Sequence, residues 1–264
     1  MNRAELLAAF NAQVRQSTEP DGTGATFEAD DHVVRRYARP GHGGSGVFWS
    51  ALDADVADAV IAAQVKLFAA RGEEFEWKLY SYDEPADLAA RLVAAGLRPE
   101  EPESWMVAEA AAVCAALSGV TLPDGVRLAE VTDAAGLDLL AGANMTAFGK
   151  DEFDLRESLL AQLEAAPGYT ELVVAMAGAE PVSSARIEFG PGEFAGLWGG
   201  GTVPAWRRRG IYRALVRHRA ERALARGCRY LTVDASDQSR PILERIGFEC
   251  LATTTPYLWI PDGG

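Results

Sequence analysis

Cysteine and histidine are both scarce in this chain, three of each in 264 residues. Cys114, Cys228 and Cys250 are odd in number and form no C-x-x-C pair. That argues against a disulfide framework or a zinc site and fits a reducing, cytoplasmic setting. His32, His42 and His218 lie far from one another and from the cysteines, so no metal is expected. No apolar run approaches the roughly 18 residues that suggest a membrane span. The N-terminal MNRAELLAAFNAQVRQ sets apolar residues at helical spacing among charges, unlike a signal peptide. Positive charge is also short. A formal net charge of -13 disfavours nucleic acid and anionic membrane as bulk partners.

What is present is ordinary globular material, 48% hydrophobic and 24% charged. At about 100–200 residues per domain, the length favours two domains. The positive charge is unevenly placed. From Arg207 to the last residue there are 11 arginines against 6 acids, whereas Thr121 to Trp206 holds 4 basic residues against 13 acids. The stretch TVPAWRRRGIYRALVRHRAERALARG (202–227) sets Arg207, Arg208 and Arg209 directly before Gly210 and an amphipathic helix. A solvated helix face accounts for Arg217, Arg222 and Arg226. It does not account for three arginines at the positive end of a helix dipole, where an anion is expected to compensate them.

Ten segments read as strands, at 32–38, 46–52, 75–82, 103–110, 125–131, 171–177, 182–190, 194–203, 230–235 and 257–260. Helical patterns lie at 54–71, 85–95, 133–147, 155–165, 211–226 and 238–246. Asp133 and Ser236 or Asp237 are expected N-caps, and Gly72, Gly96, Gly227 and Gly247 expected stops. This alternation predicts an α/β architecture with a mixed sheet. One order (helix, glycine, strand, turn, short helix, Gly-Leu or Gly-Phe, aromatic strand) occurs twice, around Gly72 and around Gly227. A duplicated unit follows, divided into residues 1–115 and 116–264 near the small-residue stretch 110–125. The copies differ at the helix start. SALDADVADAVIA (50–62) puts Asp53, Asp55 and Asp58 near the positions of Arg208, Gly210 and Arg213. Carboxylates there repel a phosphate, so only the second copy is expected to hold an anion.

A helix N-terminus leaves amides unpartnered and favours anions. Gly210 allows a tight turn and close approach, and Pro204 ends the preceding strand. The glycines of WGGGT (198–202) suggest a bulge or the close approach of a ligand. The segment Val203 to Tyr212 resembles the acyl-CoA loop of the GNAT superfamily of N-acetyltransferases, R/Q-x-x-G-x-G/A. Arg207 and Gly210 are in place, and Tyr212 stands where that family usually has Gly or Ala. SRPILERIGFE is similar to a second family motif, with Gly247 and Phe248 matching. Leu243 occupies the place of the Tyr that often protonates the departing thiolate, and Ser236 lies near the usual Asn.

The resemblance implies two GNAT-like mixed-sheet units in tandem, the N-terminal one degenerate, with residues 126–260 carrying the full order of elements. It implies acetyl transfer from acetyl-CoA to a primary amine of a small molecule or peptide by direct attack on the thioester, without a metal. Pantetheine would enter a gap between two splayed strands and meet the amides of Thr202 and Val203, which would also stabilise the oxyanion. Amides from Arg207 through Arg208, Arg209, Gly210 and Ile211 to Tyr212 would hold the pyrophosphate. Arg208, Arg213 or Arg240 would pair with the 3′-phosphate. Glu188 and Asp234 are candidate bases and Tyr257 a candidate acid, with Trp198 and Trp206 candidate acceptor walls. His218, mid-helix, reads as packing or surface. The excess of acids favours a cationic amine. The first copy would pack as a pseudo-dimer partner or wall the acceptor cleft, in a monomer or homodimer. Two other readings stand beside this one. A non-catalytic acyl-CoA sensor is suggested by Leu243 and Tyr212, and nucleic-acid binding is opposed by the net charge.

Overall fold

The computed structural model describes residues 2–21, 23–39, 44–149 and 153–261. The chain opens with α1 (Arg3–Phe10), capped by Asn2 in a reciprocal box with Glu5, and a π-helical turn (Asn11–Arg15). There follow β1 (Thr26–Ala29), β2 (Val33–Tyr37), β3 (Gly46–Ser50), α2 (Ala57–Arg71), β4 (Phe75–Tyr80), α3 (Leu88–Ala94), β5 (Arg98–Pro99), β6 (Glu103–Glu109) and α4 (Ala110–Ala116). The second half supplies β7 (Val126–Val131), α5 (Ala134–Phe148), α6 (Phe153–Ala165), β8 (Thr170–Ala177), β9 (Glu180–Phe189) and β10 (Phe194–Thr202). It ends with α7 (Ile211–Ala225), β11 (Tyr230–Ala235), α8 (Arg240–Glu244) and β12 (Glu249–Trp259).

All the long strands join one sheet in the order β1-β2-β3-β4-β12-β6-β11-β10-β9-β8-β7, with β5 attached to β12. Neighbours are antiparallel except β3–β4 and β10–β11, which run parallel over only a few residues. Apart from β7 at one edge, the order is symmetric about β12–β6, and the two halves exchange their last strands. β12 lies between β4 and β6, while β6 lies between β12 and β11. The exchange has a packing reason. Tyr257 and Trp259 of β12 complete the core around Phe68, Phe75 and Trp77 of the first half. Met106 and Ala108 of β6, with Val113 of α4, complete the core under α7 and α8. A buried large apolar side chain contributes about 1.5–3 kcal/mol, so each half draws several such contributions from the other.

The local pattern placed most elements within a few residues. Asp133 caps α5 by accepting from the Gly136 amide at 2.8 Å. Three expectations need correction. The small-residue stretch 110–125 contains α4, because its alanines are strong helix formers. The final strand begins at Glu249 rather than 257, its early part recruited by pairing with β6. Neither Ser236 nor Asp237 caps α8, which starts after Ser239; the Ser236 carbonyl instead accepts from the Ser239 and Arg240 amides.

Candidate active site

Strands β10 and β11 are hydrogen-bonded only from Phe194–Gly196 to Tyr230–Thr232 and then part. β9 holds the outer edge of β10 to Thr202, and β6 holds β11, so the gap is propped open from both sides. The start of α7 faces this gap. Gly210, its cap, has φ +86°, where side chains other than glycine are strained. Arg208 has φ +63°, the one non-glycine residue with positive φ among the described residues, a conformation costing about 1–2 kcal/mol. The Ala214 amide is bonded to the Gly210 carbonyl at 3.0 Å, which leaves the Ile211, Tyr212 and Arg213 amides opening off the helix end. They face a cleft of about 480 Å³ that Arg207, Arg208, Arg213 and Arg245 also line.

The cleft sorts the sequence-predicted donor residues. Arg208 and Arg213 are exposed along it. Arg207 ties the loop down, donating from Nε to the Thr202 carbonyl and from Nη2 to the Ala147 carbonyl, both at 3.0 Å. Arg209 stacks over the Trp206 ring at 4.6 Å. Arg240 is turned away, engaging Glu244 at 2.8 Å and Ser104 at 3.2 Å, and Arg245, just past the end of α8, lines the cleft instead. The Val203 amide is not available either, being bonded to the Val182 carbonyl of β9 at 3.0 Å. Thr202 alternates to the opposite edge and faces the gap. The glycine run does form a bulge between Trp198 and Gly201. Its spared space goes to the chain's own rings: a Cβ on Gly200 would lie 3.1 Å from Tyr212 Cε2, and one on Gly201 2.6 Å from Phe148.

Deeper in, a cavity of about 240 Å³ sits in the gap itself, lined by Glu103, Trp198, Tyr212, Arg219 and Asp234. Leu243, at the position of the family's Tyr, is wholly buried in the core below. Tyr212 is the phenol that reaches both this cavity and the donor cleft. Burial raises its pKa, opposed by the charge of Arg219. Arg219 is 2% exposed and donates to the carbonyls of Leu215, Arg186 and Trp198 rather than to a carboxylate. Burial pushes it down to about 10, which still leaves it charged at neutral pH. Glu103, whose pKa is raised by burial and by the charge of Asp234, comes from β6 of the first half. Only the strand exchange brings it here, so no local signal in the sequence marks it.

On the opposite face a chamber of about 260 Å³ is lined by residues of both halves, among them Arg36, Phe48, Lys78, Glu188, Phe194, Trp198 and Asp234. Trp198, Val233 and Asp234 border both this chamber and the cavity in the gap, so the two adjoin where β10 and β11 separate. Glu188 stands opposite Gly196 in register, with Oε1 3.1 Å from Arg186 Nε. Its withdrawal from water raises its pKa, against the partial relief from Arg186. Asp234 is held by Lys78 Nζ at 2.5 Å and by the Thr254 hydroxyl at 3.3 Å. Tyr257 is elsewhere: it is 7% exposed in the core of the first half, paired with Trp77, and lines none of these spaces. Trp206 lines the donor cleft rather than the acceptor side. Among the described residues no cluster suited to a metal ion occurs, and no helix is long and apolar enough to cross a membrane.

Residues 137–248 match the family described as Acetyltransferase (GNAT) family. That segment is similar to a GNAT domain. It holds most of α5, α6 to α8 and the splayed strands, and so every residue that lines the cleft of about 480 Å³. Solved structures resemble the full chain at low identity. A GCN5-related N-acetyltransferase from Kribbella flavida is 18% identical, covering 99% of this chain and 96% of its own, with a TM-score of 0.66. A tandem GNAT protein from the clavulanic acid biosynthesis pathway is 13% identical over 97% and 93%, at 0.65. A GCN5-related N-acetyltransferase-like protein from Streptococcus suis is 14% identical over 98% and 100%, at 0.56. Such likeness establishes the fold. No curated protein matches the sequence.

Proposed function

We propose that the chain is an acetyl-CoA-dependent N-acetyltransferase that acts on a primary amine by direct attack on the thioester. One observation carries this reading: an anion-receiving helix end opens to one face, an acid-bearing chamber opens to the other, and they adjoin where β10 and β11 part. The open amides of Ile211 to Arg213, with Arg208, Arg213 and Arg245, hold the phosphates of the donor. The free edge of β10, ending at Thr202, receives the pantetheine arm as an added strand.

Glu188 accepts a proton from the acceptor's ammonium, directly or through water, and its raised pKa makes it a stronger base than an ordinary glutamate. As the N–C bond forms and the C–S bond breaks, the Tyr212 phenol gives its proton to sulfur in place of the missing Tyr at 243. Arg219, with no carboxylate of its own, steadies the negative charge left behind. Water then takes the second proton lost by the acceptor nitrogen, returns one to Tyr212 and removes one from Glu188. Asp234 is assigned to holding Lys78 rather than to proton abstraction. The first half supplies one wall of the acceptor chamber.

The test is release of free thiol from acetyl-CoA by the purified chain across a panel of primary amines. Amine-dependent release with a matching acetylated product supports transfer. Tight acetyl-CoA binding with no release for any amine overturns it in favour of a non-catalytic acyl-CoA-binding module.

A further inference from the structure

We infer that the acceptor is an aromatic monoamine lacking a carboxylate: a ring-bearing body for the chamber and a single amino group for Glu188. The inference rests on the transferase reading and deepens it. Three observations on the chamber wall carry it.

The wall is built of rings from both halves. Phe10 packs on Trp105 and Phe194, with centroids 4.3 and 5.4 Å apart, and together they form its floor. Half-buried Phe27 and Phe48 face in from β1 and β3, and Trp198 stands at the passage through the sheet. Such a surface takes a flat apolar body, and ring-on-ring contact adds to simple burial.

The cations of the wall are already engaged. Arg15 forms a bidentate pair with Asp83, both contacts 2.8 Å, and gives Nε to the Phe48 carbonyl. Arg36 gives Nε to Asp21, Nη2 to Thr23 and Nη1 to the Gly44 carbonyl. Lys78 is bound to Asp234. A carboxylate on the acceptor would therefore meet three cations whose charges are already paired, with Asp83, Asp21 and Asp234, and would lose its hydration with little compensation.

Charge in the wall still favours one cation. Glu19, Asp21, Glu188 and Asp234 face Arg15, Arg36 and Lys78, four anions against three cations. Asp21 and Asp234 belong to pairs with wall cations, and Glu19 is exposed at the mouth. Glu188 is the acid left beside the passage, partnered by Arg186 from outside the wall. A second ammonium, as in a diamine, would find inside the chamber only acids already paired with cations, and Glu19 at the exposed mouth.

The test measures binding to the full chain by calorimetry with phenethylamine, phenylalanine and putrescine, each alone and with CoA. In parallel, mass spectrometry follows acetylation of each. Phenethylamine is expected to bind about tenfold or more tightly than either of the others, the scale of a well-buried ring. Phe48→Ala should weaken phenethylamine several-fold while acetyl-CoA affinity stays unchanged. Equal or tighter binding of phenylalanine or putrescine, or no binding of phenethylamine, overturns the inference. Preferred acetylation of putrescine would overturn it while upholding the transferase reading. Binding of phenethylamine with no acetylation of any amine would uphold the chamber's ligand class and overturn the transferase reading.

Discussion

Lys78 of the first half places its Nζ 2.5 Å from Oδ2 of Asp234 in the second, with side chains 13% and 6% exposed. Burial alone would lower the lysine pKa; the adjoining carboxylate more than offsets this and holds it above its ordinary range. The pair sits where β11 leaves β10, so it braces the gap from the side of the exchanged strand.

Breaking that pair on one side strands a buried charge. Lys78→Met is expected to destabilise the chain by about 3–5 kcal/mol in urea denaturation, whereas Lys78→Met with Asp234→Leu should recover most of the loss. Equal stability of the single variant and the parent would show that the contact does not brace the fold.

Gly210 has φ +86°, and valine there would be strained by at least about 1–2 kcal/mol and would rotate the amides that open the donor site. Gly210→Val is expected to keep its circular dichroism spectrum and lose most acetyl-CoA affinity. Unchanged affinity would displace the donor from the start of α7.

Glu188 has a raised pKa, so the protonated, inactive form persists to higher pH than for an ordinary glutamate near 4.3. Rate against pH should fall on the acid side with an apparent pKa above that reference. Glu188→Gln should abolish this limb and lower kcat/KM about 100-fold or more. A parental limb surviving in the variant would assign the base elsewhere, with Glu103 next in line.

Tyr212→Phe removes a proton and leaves the backbone amide. It should reduce kcat about tenfold or more with acetyl-CoA affinity preserved, most steeply at the pH where chemistry limits turnover. A rise in KM alone would make the phenol a binding group.

The exchanged strands predict that residues 116–264 alone are unstable, because β12 would lose both its neighbours and β11 would expose an edge. Aggregation or dimerisation is expected by light scattering, with recovery on coexpression of residues 1–115. A stable monomer would show that the halves fold separately.

Much of this was legible in the sequence because it is local. The 3.6- and 2-residue periods marked the long helices and most strands. Asp133 marked a cap and Gly210 a left-handed turn. The arginine-rich loop marked the cleft proposed to take the donor, because a helix start does not favour three guanidinium groups without an anion nearby. Local signals could not say that Arg245 rather than Arg240 faces the donor cleft, since that depends on how a one-turn helix is rotated. They could not reserve the Val203 amide for Val182 either.

The sequence by itself determined the α/β alternation, the duplicated order of elements and the tight turn at Gly210 that opens α7. Each is encoded within a few turns or residues of chain. Tertiary structure alone decided that β6 and β12 change places, that Lys78 and Glu103 of the first half stand beside Asp234, and that Tyr257 belongs to a core rather than to the gap. Strand partners are chosen by which aromatic faces fill which core, a competition across the whole sheet to which a local pattern is blind.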